Sequence, residues 1–154
     1  MSDTLKQDIV RLLTQTRDEI RANMAAKNIN ASGRTSASLT VGEYRGGVRL
    51  YFKPGNVAPM ETLEIGRPGG RVPSNFTDII VQWSKDKGLA WGNEKQRRKI
   101  AGAVAWGKIR RYGTNRHENP EDVYSTPVEK ARREIGKIAV QNIWTEIRTT
   151  LTHF

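Results

Sequence analysis

The chain has 154 residues, a formal charge of +10 from 26 Lys and Arg against 16 Asp and Glu, and no cysteine. Without cysteine there are no disulfides, no thiolate-ligated zinc and no thiol catalysis, and no run approaches the ~20 apolar residues that span a bilayer. One domain over 1–154 is expected, with a small core because only 36% of residues are apolar. The positive excess attracts anionic partners such as nucleic acid or an acidic protein face, but equally suits a soluble basic protein with no nucleic-acid role.

In chain order, the first element predicted is a helix over 4–27. Leu5, Ile9, Leu12, Leu13, Thr16, Ile20 and Met24 recur at three- and four-residue spacing, and Thr4 with Gln7 has the form of a capping box. Turn formers follow in "NINASGRTS". Two strands are then expected, "SASLTV" (36–41) and "GVRLYF" (47–52), joined through "GEYRGG" by a turn longer than the tightest hairpin type. A third strand is expected at "ETLEIG" (61–66).

Three helices complete the pattern. Pro73-Ser74 opens a short one over 75–87, whose Phe76, Ile79, Ile80 and Trp83 share a face, so Trp83 is expected to be buried as its anchor. Gly88 stops it, with lysines where the helix dipole favours them. The next runs from Glu94 to Tyr112 with an apolar stripe of Ala101, Val104, Ala105, Ile109 and Tyr112, and Gly107 weakens it from inside. Thr126-Pro-Val-Glu129 is a strong start for the last, with threonine as cap and proline in the first turn. Val128, Ala131, Ile135, Ile138, Asn142, Ile143, Ile147 and Leu151 make its broad stripe. Strands grouped together and helices grouped together mean an α+β fold: an N-terminal helix, a small antiparallel sheet with a hairpin, two shorter helices and a long C-terminal helix.

Several chemical signatures fail. "EIGRPGGRVPSNF" suggests a phosphate-binding turn before a helix. It has no Gly-Lys-Ser/Thr, its glycines at 66, 69 and 70 lack the dinucleotide spacing, and the helix begins beyond Pro73. Arg67 and Arg71 remain able to grip an anion. His117 and His153 have no helical His-x-x-x-His partner and fall short of a metal set. Serines 32, 36 and 38 lack a nucleophile-elbow context. No catalytic, cofactor-binding or metal-ligating residue is assigned, and the chain is expected not to be an enzyme.

The basic run from Lys95 to Arg116 is more informative. Arg97, Arg98, Lys99, Lys108, Arg110 and Arg111 lie in it, Trp91 and Trp106 are nearby, and Glu94 is the only acid from 94 to 117. Such residues neutralise phosphates and stack on bases. They equally suit a solvated helix face or a face that meets an acidic neighbour. With Arg67 and Arg71 they form the candidate DNA- or partner-contacting set, and a basic nucleic-acid-binding protein is one reading of the chain.

The order of motifs also resembles a family. "ASGRTSASLTV" is followed by "LEIGRPGGRVPSNFTDIIVQWSKDKGL", then by "AVAWGKIRRYGT", a tyrosine-containing loop and a long terminal helix. This is similar to the neck, tail-completion and minor tail-component proteins of tailed bacteriophages. The resemblance covers about residues 5–150. It is sharpest at Glu64-Ile-Gly-Arg67, Val72-Pro73, Ile79 to Trp83 with Lys87-Gly88, and Lys108-Ile109 to Gly113-Thr114. A single proline stands at 73 where the pattern often has two. The resemblance implies a structural virion protein without cofactor, made in the host bacterial cytoplasm and placed in the neck or tail region. It implies a ring of identical subunits at the head–tail junction, with portal, adaptor or tail-tube proteins as neighbours, transient contact with packaged DNA and no membrane.

Overall fold

The computed structural model describes residues 2–29, 33–53, 66, 69–113 and 122–151. The fold class is the expected α+β. Its elements are α1 (Asp3–Ala26), α2 (Arg34–Ser38), β1 (Leu39–Tyr44), β2 (Gly47–Phe52), α3 (Phe76–Asp86), α4 (Glu94–Gly102), a π-helical turn (Ala103–Ile109), α5 (Arg110–Tyr112) and α6 (Ser125–Leu151). Apart from Gly66, the third strand expected at 61–66 lies outside the described residues, as do Arg67, His117 and His153.

α1 carries the predicted stripe: Leu13, Thr16, Ile20 and Met24 are buried, while Leu5, Ile9 and Leu12 are half-buried. Its cap is Ser2, whose hydroxyl accepts from the Leu5 amide, rather than the expected Thr4. At the other end the Ile29 amide donates to the Met24 carbonyl and the Asn28 amide to that of Ala25, with Asn28 in the left-handed region at φ 52°. That is a Schellman ending, and asparagine tolerates the conformation better than most residues.

β1 and β2 form a two-stranded antiparallel sheet with Leu39 opposite Phe52 and Tyr44 opposite Gly47. The expected long turn is a two-residue one. Arg45 and Gly46 both have positive φ, 47° and 77°, the pattern of the tight hairpin turn whose twist matches the strands. Gly47 belongs to β2. The hairpin lies along α1: Arg21 donates to the Ser36, Ala37 and Leu39 carbonyls at its base, and Lys6 pairs with Glu43 near its tip.

α6 runs antiparallel to α1. Asn23 donates to the Val123 carbonyl and Lys130 meets Glu19, so the numbering rises along one helix as it falls along the other. The start of α6 is held by Asp122, which accepts from both the Thr126 amide and its hydroxyl. Thr126, the expected cap, is therefore the capped residue, and Ser125 already belongs to the helix. Ile20, Met24, Leu39 and Val123 form the core of this part, with Ile29, Leu50, Phe52 and Tyr124 packed around it.

α3, α4 and the π turn build a second, separate core of Ile80, Val81, Ala101 and Ala105, flanked by Phe76, Trp91, Val104 and Ile109. Asn93 and Gln96 close a reciprocal capping box at the start of α4. α3 ends as expected at Gly88, φ 65°, through bonds from the Gly88 amide to Lys85 and from the Leu89 amide to Ser84. The Lys87 ammonium reaches across to the Asn28 side chain at 2.6 Å and also to its carbonyl. It thus ties together the C-terminal ends of α3 and α1, where a cation is favoured by both helix dipoles. Arg34 and Asp86, 3.6 Å apart, add a second polar tie between the parts.

Candidate functional interfaces

The helix face expected to anchor α3 is turned by about a quarter of a revolution. At 3.6 residues per turn, Phe76, Ile79, Ile80 and Trp83 centre on one direction and Ile80, Val81 and Ser84 on another. Ile80, Val81 and Ser84 are the buried ones. Trp83 is 39% exposed and tilted against Trp91 with ring centroids 6.3 Å apart, so it is not the buried anchor expected. The reason is polar. Ser84 is fully buried, its hydroxyl donating to the Val81 carbonyl and accepting from the Arg97 guanidinium at 2.9 Å. Arg97 also donates to the Leu89 carbonyl. One guanidinium thus ties the buried side of α3 to α4, and Arg97, part of the basic run, is half-buried with these two partners.

The π turn changes the next helix. Widening the turn alters the angular advance per residue, so residues beyond it fall off the stripe that begins at Ala101. Tyr112, expected on that stripe, is 65% exposed. Trp106 sits within the turn, 41% exposed, with its Nε1–H donating to the Thr77 hydroxyl and the Arg110 guanidinium 5.3 Å from its ring centre. Beside it lies an open cleft of ≈ 320 Å³ lined by Arg71, Val72, Pro73, Ser74, Trp106 and Arg110.

The glycines of "GRPGGR" have a structural explanation. The Gly70 amide donates to the Arg110 carbonyl at 2.8 Å, and a Cβ on Gly69 would stand 2.4 Å from the Arg111 carbonyl oxygen. The backbone presses against the C-terminal end of a helix, whose carbonyls repel anions. A phosphate cradle needs the opposite end.

Charge is distributed unevenly. Between residues 69 and 113 there are ten Lys and Arg against Asp78, Asp86 and Glu94. Each of these carboxylates already holds a cation: Asp78 holds Arg98 at 2.8 Å, Glu94 holds Lys85 at 3.0 Å, and Asp86 faces Arg34. Lys99, Lys108 and Arg111 are exposed on the same part. Of the two tryptophans expected to aid nucleic-acid binding, Trp91 packs against the second core and Trp106 faces the cleft. Residues 122–151, by contrast, carry five cations and four carboxylates.

The second candidate interface is only partly visible in the sequence, as the broad stripe of α6. The helix is apolar on two opposite sides. Ala131 is buried and Ile135, Ile138 and Asn142 are half-buried on the side that follows Ala131 along the helix. Val140, Ile143, Trp144, Ile147 and Leu151 are all exposed, Trp144 by 64% and Leu151 by 69%. At 3.6 residues per turn these five centre about 180° from the Ala131 side. A shallow groove lined by Arg133, Gly136, Lys137, Val140, Gln141 and Trp144 runs along this outer face.

Among the described residues there is no group of three or more His, Cys, Asp or Glu that could hold a metal ion, and no helix long and apolar enough to cross a membrane. No family model, curated protein or solved structure matches the chain.

Proposed function

We propose that the chain is a structural subunit of a tailed-bacteriophage particle, one that joins identical copies into a ring at the head–tail junction and contacts portal, adaptor or tail-tube proteins. The observation that carries this reading is the outer stripe of α6. Five large apolar side chains on one side of a 27-residue helix expose more contiguous hydrophobic surface than scattered surface residues account for. Interfaces between permanent partners bury apolar area in the manner of a core, and head-to-tail contacts close into rings. The sequence resemblance to neck and tail-completion proteins supplies the particular assembly. The virion is accordingly the proposed location.

Sedimentation and native mass measurement test it, on the purified chain alone and mixed with the portal, adaptor and tail-tube proteins of the same particle. A ring of defined copy number, or incorporation into particles, is expected. Ile143→Glu and Trp144→Glu should abolish that incorporation while leaving the melting temperature of the free chain within a few degrees, because exposed positions away from a core change stability by about 0.5 kcal/mol or less. Particles that assemble without the chain, or variants incorporated as well as the parent, would sink the reading.

A further inference from the structure

The geometry points to a binding site for single-stranded nucleic acid in the cleft between Arg71–Ser74 and the π turn. Trp106 would stack on a base and Arg71 and Arg110 would hold flanking phosphates. This stands apart from the assembly role, because it uses neither α6 nor its stripe.

Three independent features converge there. The first is charge. The part containing the cleft carries ten cations against three carboxylates, and those carboxylates are already occupied by Arg98, Lys85 and Arg34. A polyanion entering this region therefore meets cations with no carboxylate left unpaired among the described residues of 69–113. The second is the fixed aromatic wall. The Trp106 indole is held by its bond to Thr77, so its ring presents a set plane to the cleft rather than a mobile one. The Arg110 guanidinium lies against that ring, which places charge and π surface within one nucleotide's reach. The third is shape. At ≈ 320 Å³ the cleft falls in the range of sites that admit a small planar group, and Pro73 gives it a second apolar wall.

The aromatic wall distinguishes ligand classes. In a duplex the bases are stacked on one another and cannot reach Trp106, so only the phosphates would contribute. An acidic protein surface gains nothing specific from an indole. A single strand uses both, since every base has a π face and alanine substitution at such platforms costs roughly 5- to 100-fold in affinity. Two features oppose an anion near the cleft: the Arg110 and Arg111 carbonyls at the helix end, the first already accepting from the Gly70 amide, and the Asp78 carboxylate, whose charge is answered by Arg98.

Fluorescence anisotropy tests this with labelled oligo(dT) of 15 nucleotides, a 15-base-pair duplex and poly-L-glutamate, each titrated over a salt series. The intact chain should bind oligo(dT) more tightly than either competitor. Trp106→Ala should weaken oligo(dT) binding by about 5- to 100-fold with little change in salt slope. Trp106→Phe should retain most of the affinity. That second variant keeps the result readable if Trp106→Ala disturbs the fold by losing the Thr77 bond. Arg71→Ser and Arg110→Gln should each lower the slope of log K against log salt by somewhat under one. Trp144→Glu, which tests the assembly role, should leave oligo(dT) affinity unchanged, so the two ideas can fail separately. No oligo(dT) binding at low salt overturns the proposal. So does a Trp106→Ala variant that binds like the parent. Poly-L-glutamate or duplex binding as tightly as oligo(dT) also overturns it, in favour of an acidic protein face or simple duplex backbone contact.

Discussion

The two parts of the molecule differ in what they leave to solvent. In the part built on α1, the hairpin and α6, the two long helices are close to neutral, with five cations and four carboxylates in 2–29 and the same in 122–151. The hairpin segment 33–53 carries four cations against one carboxylate, and the outer face of α6 is apolar. The part built on α3, α4 and the π turn carries ten cations against three carboxylates, and one of its exposed aromatics, Trp106, is flanked by arginine. Each has its own core, and the polar ties between them include the contacts of Lys87 with Asn28 and of Arg34 with Asp86. A neutral apolar face suits another protein surface. A cationic face with an indole suits a polyanion. One chain therefore carries two contact chemistries that need not interfere with each other.

The sharpest way to break this comparison is to ask whether the two cores fail together. Met24→Ala removes a fully buried side chain from the first core and should cost about 2–5 kcal/mol. Amide exchange should then show faster opening in α1, the hairpin and the start of α6, with protection in α3 and α4 lost to a smaller degree. Equal loss in both parts would mean that they form one cooperative unit and that the division is only one of surface.

Within the basic part, the contrast between Arg97 and Trp83 is the next test. Arg97→Ala removes two charge-assisted hydrogen bonds, to the Ser84 hydroxyl and the Leu89 carbonyl, and should cost about 1–3 kcal/mol. The hydroxyl still donates to Val81, and the carbonyl still accepts from the Trp91 amide. Trp83→Ala removes a half-open ring and its tilted contact with Trp91, for about 1 kcal/mol. Thermal melts of the two variants should therefore rank arginine above tryptophan. The reverse order would restore Trp83 as the anchor of α3.

That ranking shows where sequence reasoning succeeds and where it stops. Apolar period and the Gly88 stop locate the helices over 3–26, 76–86, 94–112 and 125–151 within a residue or two, because they act locally, whereas the caps expected at Thr4 and Thr126 are instead Ser2 and Asp122. The orientation of α3 is not local. It involves Arg97, thirteen residues beyond Ser84, donating to a buried hydroxyl that also bonds its own helix. In the sequence alone that arginine is indistinguishable from its exposed neighbours Arg98 and Lys99. The hairpin misleads for a different reason. Gly46-Gly47 suggests two residues for a long turn, yet the chain places non-glycine Arg45 at positive φ and keeps Gly47 in the strand. For the candidate contacts, the basic run is legible as composition, and Arg71 and Arg110 do line one cleft. The two-sided character of α6 is legible only as one broad stripe, since spacing does not say which side α1 will cover.

The smallest expected effect concerns how the part built on α1, the hairpin and α6 uses its charges. There the acids make local structural contacts, and Asp122 is the clearest case. The Thr126 amide and then its hydroxyl donate to this carboxylate and hold its pKa below the ordinary value near 3.8, with Lys27 assisting and burial opposing slightly. A carboxylate whose folded pKa is depressed binds fewer protons in the folded than in the unfolded state. Its contribution is therefore complete above the unfolded value and declines as pH falls through the folded one. Asp122→Asn keeps a side-chain acceptor for the Thr126 amide but removes the charge, so it isolates the titrating part of the cap. The parent and Asp122→Asn chains should differ in melting temperature at pH 6 and converge as pH falls below about 4. Because the group is exposed, added salt should narrow the gap at pH 6. A gap that persists unchanged to pH 2.5 would show that the amide side chain of the Asp122→Asn variant disturbs the start of α6 by geometry rather than by charge.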